Sequence, residues 1–145
     1  MILGMEQLDE EACRLFGQLV EGPHVVYHSK NHNVFQMTGL LRQLSLLVTS
    51  RYHAAVLSME RAIPLIAISM DGRLDGVIRE TELADHYLHH VDDAGLGERI
   101  ITSLLLADNH REKISEMIRK HQTINENKVS EMAQFFLSWL KDHFS

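Results

Sequence analysis

The sequence predicts an α/β protein: a three-layer, Rossmann-like domain on a mostly parallel sheet of about five strands, finished by C-terminal helices. Three observations carry that expectation. Leu46, Leu47 and Val48 form an apolar run with no alternation, and so do Leu65, Ile66, Ala67 and Ile68, as strands do when both faces are covered. About fifteen residues of helical pattern lie between them, which makes a βαβ unit with parallel strands and a right-handed crossover. Similar alternation of short apolar runs and amphipathic stretches continues on either side.

Taken in order, Met1 to Met5 is short and apolar and reads as the end of a strand whose beginning has been lost, so the chain reads as an excised or truncated domain. From Leu8 to Val20, the apolar residues Leu8, Ala12, Leu15, Phe16 and Leu19 recur at helical spacing, and Asp9, Glu10 and Glu11 favour the helix N-terminus. Cys13 lies beside that stripe and reads as a packing cysteine, because nothing nearby would lower its thiol pKa. Gly22-Pro23 breaks the helix, and His24 to His28 is a second strand. Asn33 is placed to cap a helix from Val34 to Arg42, whose buried side is Met37, Leu40, Leu41 and Leu44.

Ser45 to Thr49 is the third strand, and Ser50 is the expected N-cap of a helix from Arg51 to Arg61. Ala54 and Ala55 let that helix lie close to the sheet. Pro64 stops it and starts the fourth strand. A turn carrying Asp71, Arg73 and Asp75 leads into a short helix from Leu74 to Glu80, and His86 to Val91 is the fifth strand. Asp92-Asp93 is expected to cap a helix from Ala94 to Leu106. Residues 108–145 form a helical extension of a single domain, 1–145: two amphipathic helices, Asp108 to Gln122 and Asn127 to Phe144, broken near Ile124-Asn125.

Composition narrows the function. A chain of 145 residues, 45% hydrophobic and 23% charged, suits one globular domain with a real core. Its net charge of −6 argues against a nucleic-acid partner, since phosphate binding needs clustered Lys and Arg. A single cysteine excludes an internal disulfide framework and fits a reducing compartment. No run approaches the roughly 20 apolar residues of a membrane span, and MILGMEQ lacks the basic and apolar regions of a signal peptide. The expected location is cytoplasmic. Glycine-rich phosphate loops and nucleophile elbows are not found. Ten histidines invite a metal reading. However, His86 and His90 on one strand would stand roughly 13 Å apart at about 3.3 Å per residue, so no metal site is expected.

The candidate chemistry gathers beyond the carboxyl ends of the third and fourth strands, where parallel sheets bind ligands and helix N-termini favour anions. Arg51 suits a carboxylate or phosphate through its planar fork, and His53 suits proton transfer near neutral pH. The plainer reading makes Arg51 a surface salt bridge, His53 a hydrogen-bonded core residue, and Asp71 with Arg73 a solvated turn.

The stretch SRYHAAVLSMERAIPLIAISMDGRLDG resembles the C-terminal part of the polysaccharide pyruvyl transferase family. There a Ser-Arg-Leu-His-Ala-like segment precedes a Pro-containing strand and an Asp-containing turn. The resemblance covers most of this chain but about half of a family member. It implies the C-terminal half of a two-domain, GT-B-like enzyme that moves the enolpyruvyl group of phosphoenolpyruvate onto a sugar as a ketal. By that resemblance Arg51 binds the donor, His53 is the catalytic histidine, and Ser50, Tyr52, Asp71 and Arg73 are substrate-binding. Tyr52 replaces the usual leucine, and Arg73 stands where lysine is commoner. The implied partners are the missing N-terminal domain and a sugar or lipid-linked saccharide acceptor, with no cofactor besides the donor. Such a domain alone is expected to be inactive, since half a cleft cannot hold donor and acceptor together. Two other readings stand beside it. One is the nucleotide-sugar half of a GT-B glycosyltransferase. The other is a non-catalytic domain that binds a partner or a second copy of itself through its C-terminal helix, at Phe135 to Trp139.

Overall fold

A computed structural model describes residues 1–6 and 8–144. The protein is α/β, and its strands and helices alternate through most of the chain: β1 (Ile2–Gly4), α1 (Asp9–Leu19), β2 (Val26–His28), α2 (Val34–Leu41), β3 (Leu47–Thr49), α3 (Tyr52–Met59), β4 (Leu65–Ser69), α4 (Gly72–Arg79), α5 (Ala84–Tyr87), β5 (Leu88–His90), α6 (Leu96–Asn109) and α7 (Arg111–Phe144). Every pairing among the described residues is parallel.

The five strands do not form one continuous ladder. β1 pairs with β2, and β3, β4 and β5 pair in that order as a separate sheet. β4 is the centre of the larger sheet, and its Leu65, Ile66 and Ala67 are fully buried. Here the apolar run does mean cover on both faces. β3 carries the same kind of run, yet Val48 is 40% exposed, because β3 is the outer strand of its sheet and Val48 borders an open cavity.

Local chemistry explains where the elements begin. Asn33 Oδ1 accepts the Gln36 N–H and Gln36 Oε1 accepts the Asn33 N–H, each at 3.0 Å, which satisfies two otherwise orphaned donors at the start of α2. Ser50 does not cap α3: the residue before the helix is Arg51, whose N–H is taken by Thr49 Oγ1 at 3.0 Å. Asp71 caps α4 by accepting the Arg73 N–H at 2.9 Å, so that helix opens at Gly72, two residues ahead of the expected start. Asp93 turns back to accept the His90 N–H instead of capping α6, which begins after Gly95 at φ +66°. His86 winds into α5, leaving only Leu88 to His90 as strand.

The largest correction is at the C-terminus. α7 is one helix of 34 residues, with no break at Ile124-Asn125. Asparagine is only a weak helix breaker, and the Asn125 side chain is engaged with His121 one turn back. Ile114 and Ile118 anchor the first part of α7 in the main core, against α3 and α6. Ala54 and Ala55 are buried as expected, and α3 lies directly on β3 and β4.

Candidate functional site

β3, β4 and β5 run parallel, so Thr49, Ser69 and His90 finish at one edge of the sheet. The two turns that follow β3 and β4 are built alike. Each strand ends on a buried hydroxyl that fixes the backbone two residues on: Thr49 Oγ1 accepts the Arg51 N–H, and Ser69 Oγ donates to Asp71 O at 2.8 Å. These ties set the directions in which α3 and α4 leave the sheet.

A cleft of about 440 Å³ opens between α3, α4 and α7. Tyr52 and His53 line it from α3, Arg73 and Glu80 from α4 and its end, and His121 and Asn125 from α7. His53 is exposed, with its ring edge-on to Tyr52 at 5.4 Å between centroids. It is therefore a free histidine in a cleft, not a core residue. Arg73 is held by Asp71, Nη2 to Oδ2 at 2.7 Å and Nε to Oδ2 at 3.2 Å. That bond to Arg73, helped by the Arg73 amide, keeps the Asp71 carboxyl below its ordinary range. The solvated Asp71 to Arg73 contact is thus present, and it presents a guanidinium at the cleft.

His121 is buried, and its Nε2 accepts a hydrogen bond from Asn125 Nδ2 at 2.8 Å, which puts the ring proton on Nδ1. Sequence reasoning missed both residues: His121 was placed inside a helix but given no role, and Asn125 was placed at a helix break that is not there. The available signal was phase: His121 follows Ile114 and Ile118 on one helical face.

Ser50 and Arg51 look the other way. They line a second, mostly apolar cavity of about 740 Å³ that runs between β1 and β3, with Leu3, Met5, Leu46 and Val48 in its walls. Arg51 Nη2 bonds Asp9 Oδ1, and Nη1 lies 3.3 Å from Glu6 Oε2. Asp9 Oδ2 also accepts the Met5 and Glu6 N–H groups, both at 3.0 Å. Burial raises the Asp9 carboxyl, but the Arg51 bond and the two amides outweigh it and hold the pKa below its ordinary value. The arginine expected to bind the donor is therefore an ion pair joining the two sheets. The turn from Ser50 to His53 is a shared wall, with two residues toward each opening.

Cys13 is buried beside that cavity, and burial, followed by the Asp9 charge, pushes its thiol pKa up. It is a packing residue, as its surroundings suggested. His28 does not border the His53 cleft. It ends β2, where its Nδ1 accepts the Lys30 N–H at 3.2 Å. Among the described residues no group of three His, Cys, Asp or Glu side chains is arranged to hold a metal ion, and no helix is long and apolar enough to cross a membrane. No family model, curated protein or solved structure matches the chain.

Proposed function

We propose that this chain is the donor-side half of a cytoplasmic polysaccharide pyruvyl transferase-like enzyme, which passes the pyruvyl group of phosphoenolpyruvate to a sugar of a cell-surface polysaccharide. One observation carries the reading: His53 and Arg73, placed after adjacent parallel strands, wall the same cleft at the N-terminal turns of α3 and α4. The donor is a small polyanion. Arg73 offers it a guanidinium that would exchange its Nε and Nη2 bonds to Asp71 for the donor's, and the N-terminal turn of α3, which no side chain caps, adds partial positive charge. Protonation of the donor's methylene carbon makes the adjacent carbon electrophilic. An acceptor hydroxyl attacks there and loses its proton, phosphate leaves, and a second hydroxyl closes the ketal and gives its proton to the departed phosphate. His53 is the group in the cleft suited to both proton movements. Arg51 lines the other opening, tied to Asp9 and Glu6, so its assigned role passes in part to Arg73.

The two sheets fit the same reading as parts of one doubly wound sheet in the order β2-β1-β3-β4-β5, parted between β1 and β3. Leu3 and Met5 of the smaller part already pack on the main core. The sugar or lipid-linked saccharide acceptor would be held by a second domain across the cleft, so turnover by this domain alone is not expected.

A heteronuclear NMR titration with phosphoenolpyruvate, alongside a nucleoside diphosphate, tests the proposal. Shifts at Ser50 to His53 and Asp71 to Arg73, abolished by Arg73→Ala and weakened by Arg51→Ala, are the expected outcome. Shifts with the nucleotide alone would make the domain a glycosyltransferase half. No response at His53 to phosphoenolpyruvate at millimolar concentration would overturn the pyruvyl transferase reading.

A further inference from the structure

The face of α7 that packs on the domain continues after the domain ends. Ile114 and Ile118 are 1% and 0% exposed, and His121 is buried beside them. Phe136 stands about five turns beyond Ile118 on the same side, at about 3.6 residues per turn. Val129, Met132, Trp139 and Leu140 fall within about 60° of it at about 100° per residue. From Val129 to Trp139 this stripe is exposed, Met132 at 71% and Phe136 at 56%, and Leu140 is half-buried. Phe136 and Trp139 are already stacked, with ring centroids 6.2 Å apart, and Trp139 stacks on His143 at 4.7 Å.

We propose that the C-terminal half of α7 is a homodimerisation surface on which the same segment of a second copy packs antiparallel. The apolar positions repeat as a coiled-coil seam, Val129 and Phe136 at one core position and Met132 and Trp139 at the other. Antiparallel pairing puts Val129 against Trp139 of the second copy and Met132 against its Phe136, so each layer joins a smaller side chain to a larger one. The flanking positions then bring Lys128 opposite Asp142 of the second copy, twice by symmetry, and Phe135 against its own copy. Parallel pairing instead sets Lys128 beside Ala133 and Trp139 against itself. Exposed aromatic side chains bring about 150–250 Å² each when fully buried, so this stripe offers on the order of 600–800 Å² per chain, close to the roughly 800 Å² per partner of a standard specific interface. Side chains already stacked lose less freedom on association.

Sedimentation equilibrium of the full chain reads the result. The unmodified protein should be a dimer in the micromolar range, and Phe136→Glu should be monomeric while the amide resonances of β3 to β5 stay in place, since Phe136 touches none of the core. Lys128→Asp and Asp142→Lys should each weaken the dimer by about fivefold or more, and the double variant should recover most of that loss. A protein that stays monomeric at about 100 μM, a Phe136→Glu variant that still dimerises, or charge reversals whose losses add in the double variant would each overturn the proposal.

Discussion

The two parallel ladders of this protein are held by different physics. In β3-β4-β5 the central strand is sealed by helices on both sides, and three consecutive β4 residues have no exposure at all. In β1-β2 each strand has three residues, Val26 is 47% exposed, and the covering helix α1 leaves Phe16 and Leu19 largely in water. Apolar burial holds the first ladder. The second relies more on a close backbone approach at Gly4 and on the Arg51 to Asp9 pair. Regions with few buried apolar contacts open at lower free energy than the global barrier. The smaller ladder should therefore loosen first, and because Arg51 and His53 share a turn, its loosening should be felt at the cleft.

The largest effect that sharpens this contrast comes from β4. Ile66→Ala removes a fully buried side chain at the centre of the larger sheet and should cost about 2–5 kcal/mol. Chemical denaturation followed by circular dichroism measures it. A loss below about 1 kcal/mol would mean that the β4 environment collapses freely around the void and is not the close-packed centre described above.

Next comes the smaller ladder. A methyl group at Gly4 would lie 2.6 Å from His28 Cδ2 and 3.1 Å from Cys13 Sγ, inside the crossing of β1, β2 and α1. Gly4→Ala should cost about 1–3 kcal/mol through overpacking. The comparison predicts that hydrogen exchange speeds up at Ile2 to Gly4 and Val26 to His28 with much less change at Leu65 to Ser69. Equal loss of protection in both ladders would show that they unfold as one unit. Arg51→Ala should act in the same direction but by only about 1 kcal/mol or less, because the pair it breaks is partly exposed.

Most of this arrangement was legible in the sequence. Unalternating apolar runs located β3 and β4, shorter apolar stretches between turn and helix signals located β1, β2 and β5, and Asn33 announced the start of α2. The parting between β1 and β3 was not legible, since apolar runs say where strands lie and not which strands pair. Val48 illustrates the limit: like Ile66 it follows a leucine in an apolar run, yet its place in the outer strand of the sheet leaves it exposed. At the candidate site, the strand pattern placed the clusters holding His53 and Arg73 after β3 and β4, and the family resemblance suggested their roles. His121 lay inside an expected helix but was not read as facing the cleft, and Asn125 was missed because asparagine was given too much weight as a helix end.

The smallest effect reverses the order of the two ladders. His89 in β5 is buried, and its Nε2 lies 2.8 Å from Ser103 Oγ. Ser103 donates its own proton to His86 O at 2.6 Å, so it must accept from His89, which places the histidine proton on Nε2 and leaves Nδ1 without a partner. Burial, then the Arg99 charge, lowers the His89 pKa, with Asp93 opposing. The unfolded chain therefore binds the proton more readily than the folded one. The stabilisation from neutral His89 is complete above about pH 6.5 and declines as pH falls from there toward the folded value. The Asp9 pair behaves differently: its contribution is complete above about pH 3.9 and is lost only as pH falls through the lowered folded value. Between these windows, acid should weaken the strong ladder while the Arg51 tie of the weak one stays intact. Thermal melts from pH 7 to pH 5 should show a falling midpoint, and His89→Gln should flatten that slope. An unchanged slope in the variant would show that the pH dependence does not come from His89 and remove β5 as the acid-sensitive edge of the larger sheet.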